Sequence, residues 1–236
     1  MNSQINEIKT CNEMEELEKL LSLDGKTILE LGCGNAEKTR FIATNGYGRK
    51  IKSTEVDTVQ HANNLLIDDL PNVEFLVAGA ENIPLEDGSI DFVFMFKSLH
   101  HVPIQLMGTA LTEIQRVLKP GGLAYISEPE FKGAFNEVIR IFHDEEEVRK
   151  QAYAAINKTI SSKEFLPENE LFFNTLTTFE NFEDFEEKII NVTHTEHKLS
   201  EELTQKSKKQ FLLNMGRNGA EFLIPMRVNL LKKPEH

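Results

Sequence analysis

Residues 26–31 (KTILEL) form a short apolar run that passes directly into Gly32-Cys33-Gly34-Asn35-Ala36, and a helical pattern opens at Glu37. This strand, glycine turn and helix constrain the fold more than any other feature of the chain. Gly32 and Gly34 let the backbone turn sharply and let a ligand approach without a Cβ in the way. In an open α/β sheet, ligands bind at the carboxyl ends of the strands, which is where this turn falls. A strand-to-helix connection that binds nothing would show the same local pattern.

The flanking segments extend the pattern. Met14, Leu17, Leu20 and Leu21 recur at helical spacing over 12–22, and Asp24-Gly25 ends that helix. The turn's own helix runs from Glu37 to about Asn45-Gly46. A strand near 50–56, a helix near 57–67 and a strand at 73–77 follow. Residues 91–96 (DFVFMF) read as a central strand covered on both faces. A helix over 103–118 ends at Lys119-Pro120-Gly121-Gly122, an architectural turn, and 123–128 form a fifth strand. Strands alternating with crossover helices imply an α/β fold with a doubly wound, mostly parallel sheet and right-handed connections. A chain of 236 residues, 40% of them hydrophobic, can hold this as one domain over 1–236.

The pattern changes after Pro129. Residues 131–165 read as helical and strongly charged, and Phe172 to Phe185 is rich in phenylalanine. Two late strands are expected at 187–195 and 221–232, separated by a helix near 200–215. Pro225 places the second of them after itself or at a sheet edge. The expected organisation is a core over 24–130, a helical insertion over 131–185 and closing sheet elements over 186–236.

A net charge of −12 would repel phosphate backbones and anionic lipid, which disfavours nucleic acid and membrane as partners. Lys206, Lys208 and Lys209 read as a solvated helix face. The two cysteines, Cys11 and Cys33, lack paired-ligand spacing, which fits a reducing cytoplasm without a disulfide framework or zinc site. No apolar stretch approaches the ~20 residues that span a bilayer.

Two ligand types compete for the glycine turn. A dinucleotide fingerprint needs a third glycine at position 37, where this chain has Glu37. A carboxylate at a helix N-terminus competes with a diphosphate for the same positive end, whereas a zwitterionic sulfonium amino acid meets no such conflict. Glu55, at the end of the second strand, could accept both ribose hydroxyls of an adenosine. Asp57 is the alternative, although either could simply favour the next helix's N-terminus.

Ile28-Leu29-Glu30-Leu31-Gly32-Cys33-Gly34 is followed in order by Glu55, Ala80-Glu81-Asn82-Ile83-Pro84 and Ser89-Ile90-Asp91-Phe92-Val93. Ser98-Leu99-His100-His101-Val102 and Glu113-Ile114-Gln115-Arg116-Val117-Leu118-Lys119-Pro120-Gly121-Gly122 come next, and Pro225-Met226-Arg227-Val228-Asn229-Leu230-Leu231 reads as a closing strand. Over about 24–130 these blocks together resemble the class I S-adenosylmethionine-dependent methyltransferases, type 11, the ubiquinone/menaquinone-biosynthesis-like branch. The resemblance implies a Rossmann-like fold, S-adenosyl-L-methionine as cofactor and a small-molecule methyl acceptor. It also implies that Glu30, Gly32, Cys33 and Gly34 hold the methionine moiety and that Glu55 and Val56 meet the ribose. Gly79, Ala80 and Glu81 would meet the adenine, and Phe96 and Lys97 would pass beside the sulfonium.

The chain departs from the family pattern at two places. Alanine stands at position 36 in place of a frequent glycine, and Gly79 stands where aspartate often accepts from the adenine amine. Glu81 could partly replace that acceptor, whose loss costs on the order of 1 kcal/mol. If the acceptor must lose a proton, His100 and His101 are the candidate bases, because imidazole titrates near neutral pH. No third ligand at close spacing suggests a metal site. Cys33 reads as packing, as do most phenylalanines among 131, 135, 142, 165, 172, 173, 179, 182 and 185. The rival readings are a binding protein that keeps the cofactor but does not turn over, and a nucleotide-dependent oxidoreductase disfavoured by Glu37.

Overall fold

The computed structural model describes residues 8–191 and 199–235. In it the alternating pattern becomes α1 (Glu13–Leu20), β1 (Thr27–Leu31), α2 (Glu37–Thr44), β2 (Lys50–Glu55), α3 (Thr58–Asn64), β3 (Val73–Val77), β4 (Ile90–Phe96), α4 (Met107–Val117) and β5 (Leu118–Pro129). Then come α5 (Ala134–Ile139), α6 (Glu146–Ser161), β6 (Leu166–Phe179), α7 (Phe182–Phe185), α8 (Glu201–Leu212), β7 (Met215–Gly216) and β8 (Gly219–Lys232). These elements group into two compact units. Of the described residues, the larger holds Met14–Glu128, Val148–Leu171 and 228–235; the smaller holds 8–13, Pro129–Glu147, 172–191 and 199–227.

The sheet order is β3-β2-β1-β4-β5-β8-β6. β1 pairs in parallel with β2 and with β4, β2 with β3, and β4 with β5. This is the mostly parallel, doubly wound arrangement expected from the alternation. Every β4 residue except Asp91 is buried, which explains the continuous apolar run. On one face Leu29, Leu31, Val93, Met95, Ala124 and Ile126 pack against α4 and α6 residues such as Leu111, Ile114, Ala152 and Ile156.

Several of the motif residues turn out to be ties within the larger unit. Asp91 Oδ2 accepts from the Thr27 N–H at 2.9 Å and from Lys119 Nζ at 2.7 Å, joining the start of β1 to the start of β5. Arg116 donates to Glu113 Oε1 and Oε2 at 2.7 Å each, to Asp87 at 2.6 Å, and to the Leu85 and Ile83 carbonyls at 2.8 Å each. Glu113 in turn accepts from the Ile83 N–H at 3.0 Å. This fork fixes the loop between β3 and β4 onto α4. Arg49 makes a similar clamp from a 4% exposed position, bidentate to Glu18 at 2.6 and 2.9 Å and bonded to Asp24 at 3.1 Å.

The smaller unit has its own aromatic core. Phe179, Phe182, Phe185, Phe211 and Phe222 are buried with Val138, Ile139 and Ala220, and Phe135 and Phe142 pack against them. Phe179 meets Phe185 edge-on at 5.2 Å, and Phe182 meets Phe211 likewise at 5.5 Å. Most of the phenylalanine-rich stretch is therefore packing. Phe165 is buried in the larger unit's core, whereas Phe172 is 47% exposed.

The structure differs from the sequence expectation at several elements. The helix expected over 103–118 begins only at Met107, after 3-10 turns at Leu99–His101 and Ile104–Leu106. The Lys119–Gly122 turn lies inside β5. Ile90 pairs with Leu118 and Phe92 with Leu123, so one residue of β4, Asp91, stands opposite four of β5, Lys119 to Gly122, a bulge that includes Gly121 at φ +74°. The stretch 131–185, expected to be helical, contains α5 and α6 but also the 14-residue strand β6. Residues 186–190 form a π-helical turn continuing α7 where a strand was expected, and 192–195 of that expectation lie outside the described residues. β8 starts at Gly219 and runs through Pro225, whose carbonyl accepts from the Glu130 N–H at 2.8 Å. Proline lacks a donor but keeps its acceptor, and that is sufficient here.

The ties predict an acid response. The Arg116 guanidinium, aided by the Ile83 N–H, holds the Glu113 carboxyl below the usual carboxylate range against some burial. Burial of Asp91 opposes its charge, but Lys119 and the Thr27 N–H more than offset this and hold it low as well. A carboxyl depressed in the folded state stabilises above the unfolded carboxylate range and loses that contribution as pH falls through the folded value. The thermal midpoint should therefore be flat from about pH 7 to 5 and decline below about pH 4. Arg116→Ala should cost about 2 kcal/mol at neutral pH and make the acid decline shallower. Parallel declines in the two proteins would contradict this assignment.

Candidate functional site

The glycine turn after β1 is held from three sides. Gly32, Gly34 and Ala36 all adopt left-handed backbone, with φ of +72°, +52° and +60°. That explains why glycine would suit position 36; Ala36 carries the strain with its methyl buried. The N–H groups of Gly32 and Cys33 both donate to the Thr54 carbonyl at 2.9 Å, and the Gly34 N–H donates to Glu55 Oε2 at 2.7 Å. From α3, Asn64 Nδ2 donates to the Gly34 carbonyl at 2.8 Å, with its own Oδ1 fixed by Gln60 at 3.0 Å. Beside the turn, buried Glu30 accepts from Thr39 Oγ1 at 2.5 Å. A Cβ at Gly32 would lie 3.0 Å from Ser98 Cβ, whereas one at Gly34 would meet nothing within 4 Å. The backbone at Gly34 thus faces open space.

The strand register brings the expected residues to one edge. Leu31 aligns with Thr54, Glu55 with Val77, and Glu30 with Phe94, so the carboxyl ends of β1, β2, β3 and β4 finish together. Glu55 is 9% exposed; its Oε1 accepts from the Val56 and Asp57 N–H groups at 2.9 and 3.0 Å. With Gly34 this occupies three of the roughly four acceptor positions of a carboxylate and leaves one. Asp57 is instead the N-cap of α3, accepting from the Val59 and Gln60 N–H groups. Val56 stands exposed beside Glu55, and Ala80 is buried. Any side chain at Gly79 would begin where the Glu81 carboxylate now lies. The Glu81 carboxylate thus occupies the space that a side chain at position 79 would take.

At the end of β4, Phe96 packs on Phe94 at 5.6 Å and on Tyr125 at 5.7 Å. Lys38 Nζ lies 4.4 Å from the Phe96 ring centroid, a cation–π contact. Lys97 takes φ +55° and donates its N–H to the Ser127 carbonyl at 2.8 Å, so a non-glycine residue holds left-handed backbone here. His100 Nδ1 is hydrogen-bonded to Glu128 Oε2, and Glu128 Oε1 accepts from the Leu99 N–H at 2.9 Å. His101 is exposed, its ring 4.1 Å from that of His100. Burial, and then the Glu30 and Glu55 carboxylates, push the Cys33 thiol far up, so it stays protonated as expected for a packing residue.

The comparisons with known proteins agree with this architecture. A family model described as "Methyltransferase domain" matches residues 29–126. The ubiquinone/menaquinone biosynthesis C-methyltransferase of Campylobacter jejuni is 32% identical over 182 residues, covering 75% of this chain and 72% of that protein. The O-methyltransferase rstn1 of Aspergillus nomiae is 30% identical over 139 residues, covering 52% of this chain and 60% of that one. Several other matched relatives are covered over less than half of their length. Among solved structures, a candidate methyltransferase from Bacillus halodurans superposes with TM-score 0.67 at 16% identity, over 94% of this chain and 99% of that one. The [4+2]-cyclase SpnF shares the fold at TM-score 0.58 and 18% identity, over 94% of this chain and 80% of that one.

The fold is that of a class I methyltransferase. The chain belongs to the S-adenosylmethionine-dependent methyltransferase family, in the branch that includes the ubiquinone/menaquinone C-methyltransferases. No helix of the described residues is long and apolar enough to cross a membrane.

Three residues at the site escaped the sequence reading. Asn64 and Thr39 bond to Gly34 and Glu30 through side chains whose types are common at any position, so no spacing marks them, while Ser98, quoted only as part of a motif, donates to the Leu31 carbonyl at 2.9 Å. Glu128 ends a strand 28 residues beyond His100 and becomes its partner only through the pairing of β4 with β5. The turn geometry predicts unequal costs for adding a methyl group. Gly34→Ala should lose about 1–2 kcal/mol from left-handed backbone alone, and Gly32→Ala should lose more because of Ser98. Chemical denaturation of both variants measures the difference, and equal losses would contradict the contact.

Proposed function

We propose that the protein transfers the methyl group of S-adenosyl-L-methionine to a small-molecule acceptor. The observation that carries this reading is the glycine turn bonded to Glu55, with open space over Gly34 and one acceptor position left on the carboxylate. Those features fit an adenosyl amino acid. Gly32, Cys33 and Gly34, with Glu30 behind them, would hold its amino-acid end, and Glu55 and Val56 its ribose. Gly79 and Ala80 would offer backbone to the adenine while Glu81 accepts from its amine. Phe96 and Lys97 would border the reacting centre, where His100 or His101 would take a proton if the acceptor must lose one.

The cofactor supplies an already activated methyl group. The protein's part is alignment and exclusion of water, which can contribute about 7–11 kcal/mol. The named activities of the relatives, methylation at carbon in one and at oxygen in another, support transfer to a small molecule. The net charge of −12 disfavours a nucleic-acid acceptor.

Calorimetry tests this. S-adenosylhomocysteine should bind wild-type protein in the micromolar range, and Gly34→Asp, which fills the open space, should abolish binding while the protein stays folded. Glu81→Ala should weaken binding about fivefold, and Gly79→Asp combined with Glu81→Ala should recover most of it. No binding to the wild type at millimolar ligand would refute the reading.

A further inference from the structure

The smaller unit carries a basic, apolar tip where α8 ends and the β7–β8 hairpin begins. α8 buries Ser207 and Phe211, and Phe211 joins Ala220 and Phe222 of β8 in the aromatic core. Between these anchors the chain reverses through Asn214 and a hairpin in which Met215 pairs with Ala220 and Gly216 with Gly219. The side chains on the outside of the reversal are apolar: Leu213 is 73% exposed, Leu212 49% and Met215 37%. None of the three belongs to the aromatic core. A contiguous apolar patch of this kind, rimmed by polar groups, marks a contact surface.

Cations stand among these side chains. Residues 203–220 contain Lys206, Lys208, Lys209 and Arg217 and no Asp or Glu, in a chain whose net charge is −12. Lys208 is engaged, its Nζ 3.4 Å from Glu183 Oε1 and 5.3 Å from the Phe182 ring centroid. Lys206, Lys209 and Arg217 are exposed and form no ion pair among the described residues. Steps of three and four residues put Lys206, Lys209 and Leu213 on one side of α8 and its C-cap. Glu201 and Glu202 stand at the other end of the helix, about 16 Å away at its rise per residue, beyond a Debye length of about 10 Å at 0.1 M salt. Glu180 and Glu221 flank the hairpin and keep the attraction moderate.

We infer that this tip docks peripherally on an anionic lipid bilayer, with Leu212, Leu213 and Met215 entering the headgroup boundary and Lys206, Lys209 and Arg217 meeting lipid phosphates. The combination of side chains selects the occupant. A soluble polyanion would be held by the cations but would leave the leucines in water. An apolar groove on a protein would cover the leucines but strand three charges. A bilayer interface offers acyl chains and phosphates close together and satisfies both. The net charge of the whole chain, which disfavours membranes, conceals this local excess of cations. With three apolar side chains and three cations, the contact is reversible and sensitive to salt. None of these residues belongs to the groups assigned to the cofactor, so the inference is independent of the methyl-transfer reading.

Cosedimentation with vesicles tests this. At about 0.1 M salt the protein should pellet with phosphatidylcholine vesicles containing about one-third phosphatidylglycerol, at least about tenfold more strongly than with phosphatidylcholine alone, and about 0.5 M salt should release it. Leu212→Ser combined with Leu213→Ser should lower the partition coefficient about tenfold, and Lys206→Gln, Lys209→Gln and Arg217→Gln together about 100-fold. All five changes fall on exposed side chains, so the thermal midpoint should match that of the wild type. The chain has no tryptophan, so Leu213→Trp supplies a single reporter whose emission should shift to the blue on the anionic vesicles. Failure of the wild type to pellet, an unshifted tryptophan, equal binding to neutral vesicles, or binding that the leucine variant retains in full would each overturn the inference. Capture of polyglutamate or polyuridylate as tight as that of the vesicles would also overturn it, and would assign the tip to a soluble polyanion.

Discussion

The site depends on the attachment of the glycine turn to the end of β2. Thr54 accepts two N–H groups from the turn, and Glu55 accepts a third through its side chain. These bonds hold Gly32 and Gly34 in left-handed backbone, and the Ala36 N–H closes the turn onto the Cys33 carbonyl at 2.9 Å. The cost of that backbone is met by the sheet, since β1 and β2 pair over five consecutive registers directly beneath it. The same carboxylate that organises the loop keeps one acceptor position for a ligand, so the support and the proposed recognition share a residue.

The motifs of the chain divide into those that support and those that face the site. Asp91 with Lys119 and Glu113 with Arg116 bind strand ends and loops to one another, and none lies in the glycine turn. Their recurrence within one hundred residues helped to mark the family, yet their work is structural. The residues of the proposed site are fewer: the backbone of the turn, Glu55, Glu81 beside Gly79, and the end of β4. Fold likeness alone does not decide the chemistry, because a [4+2]-cyclase superposes on this chain as well.

What could be read from the residues follows from the range of the forces involved. β4 was legible because a strand covered on both faces must be apolar throughout, and Glu55 because it stands one strand after the glycines. The π-helical turn at 186–190 was not legible, since Ile189 and Ile190 look like strand residues until the preceding α7 is seen to continue into them. Pro225 suggested an interruption on account of its missing donor, while its acceptor kept the strand going. Asp57, the alternative to Glu55 in the sequence, is the N-cap of α3. The His100–Glu128 pair depends on tertiary placement that no local pattern encodes.

Cys33 gives the turn a form of chemical protection. A thiolate is the strongest nucleophile among ordinary side chains, and beside an electrophilic methyl donor it would be alkylated by the protein's own cofactor. Burial and two flanking carboxylates hold this sulfur in its protonated form. Under the proposed methyl transfer, a small, polarisable side chain can therefore fill the loop without becoming a competing acceptor.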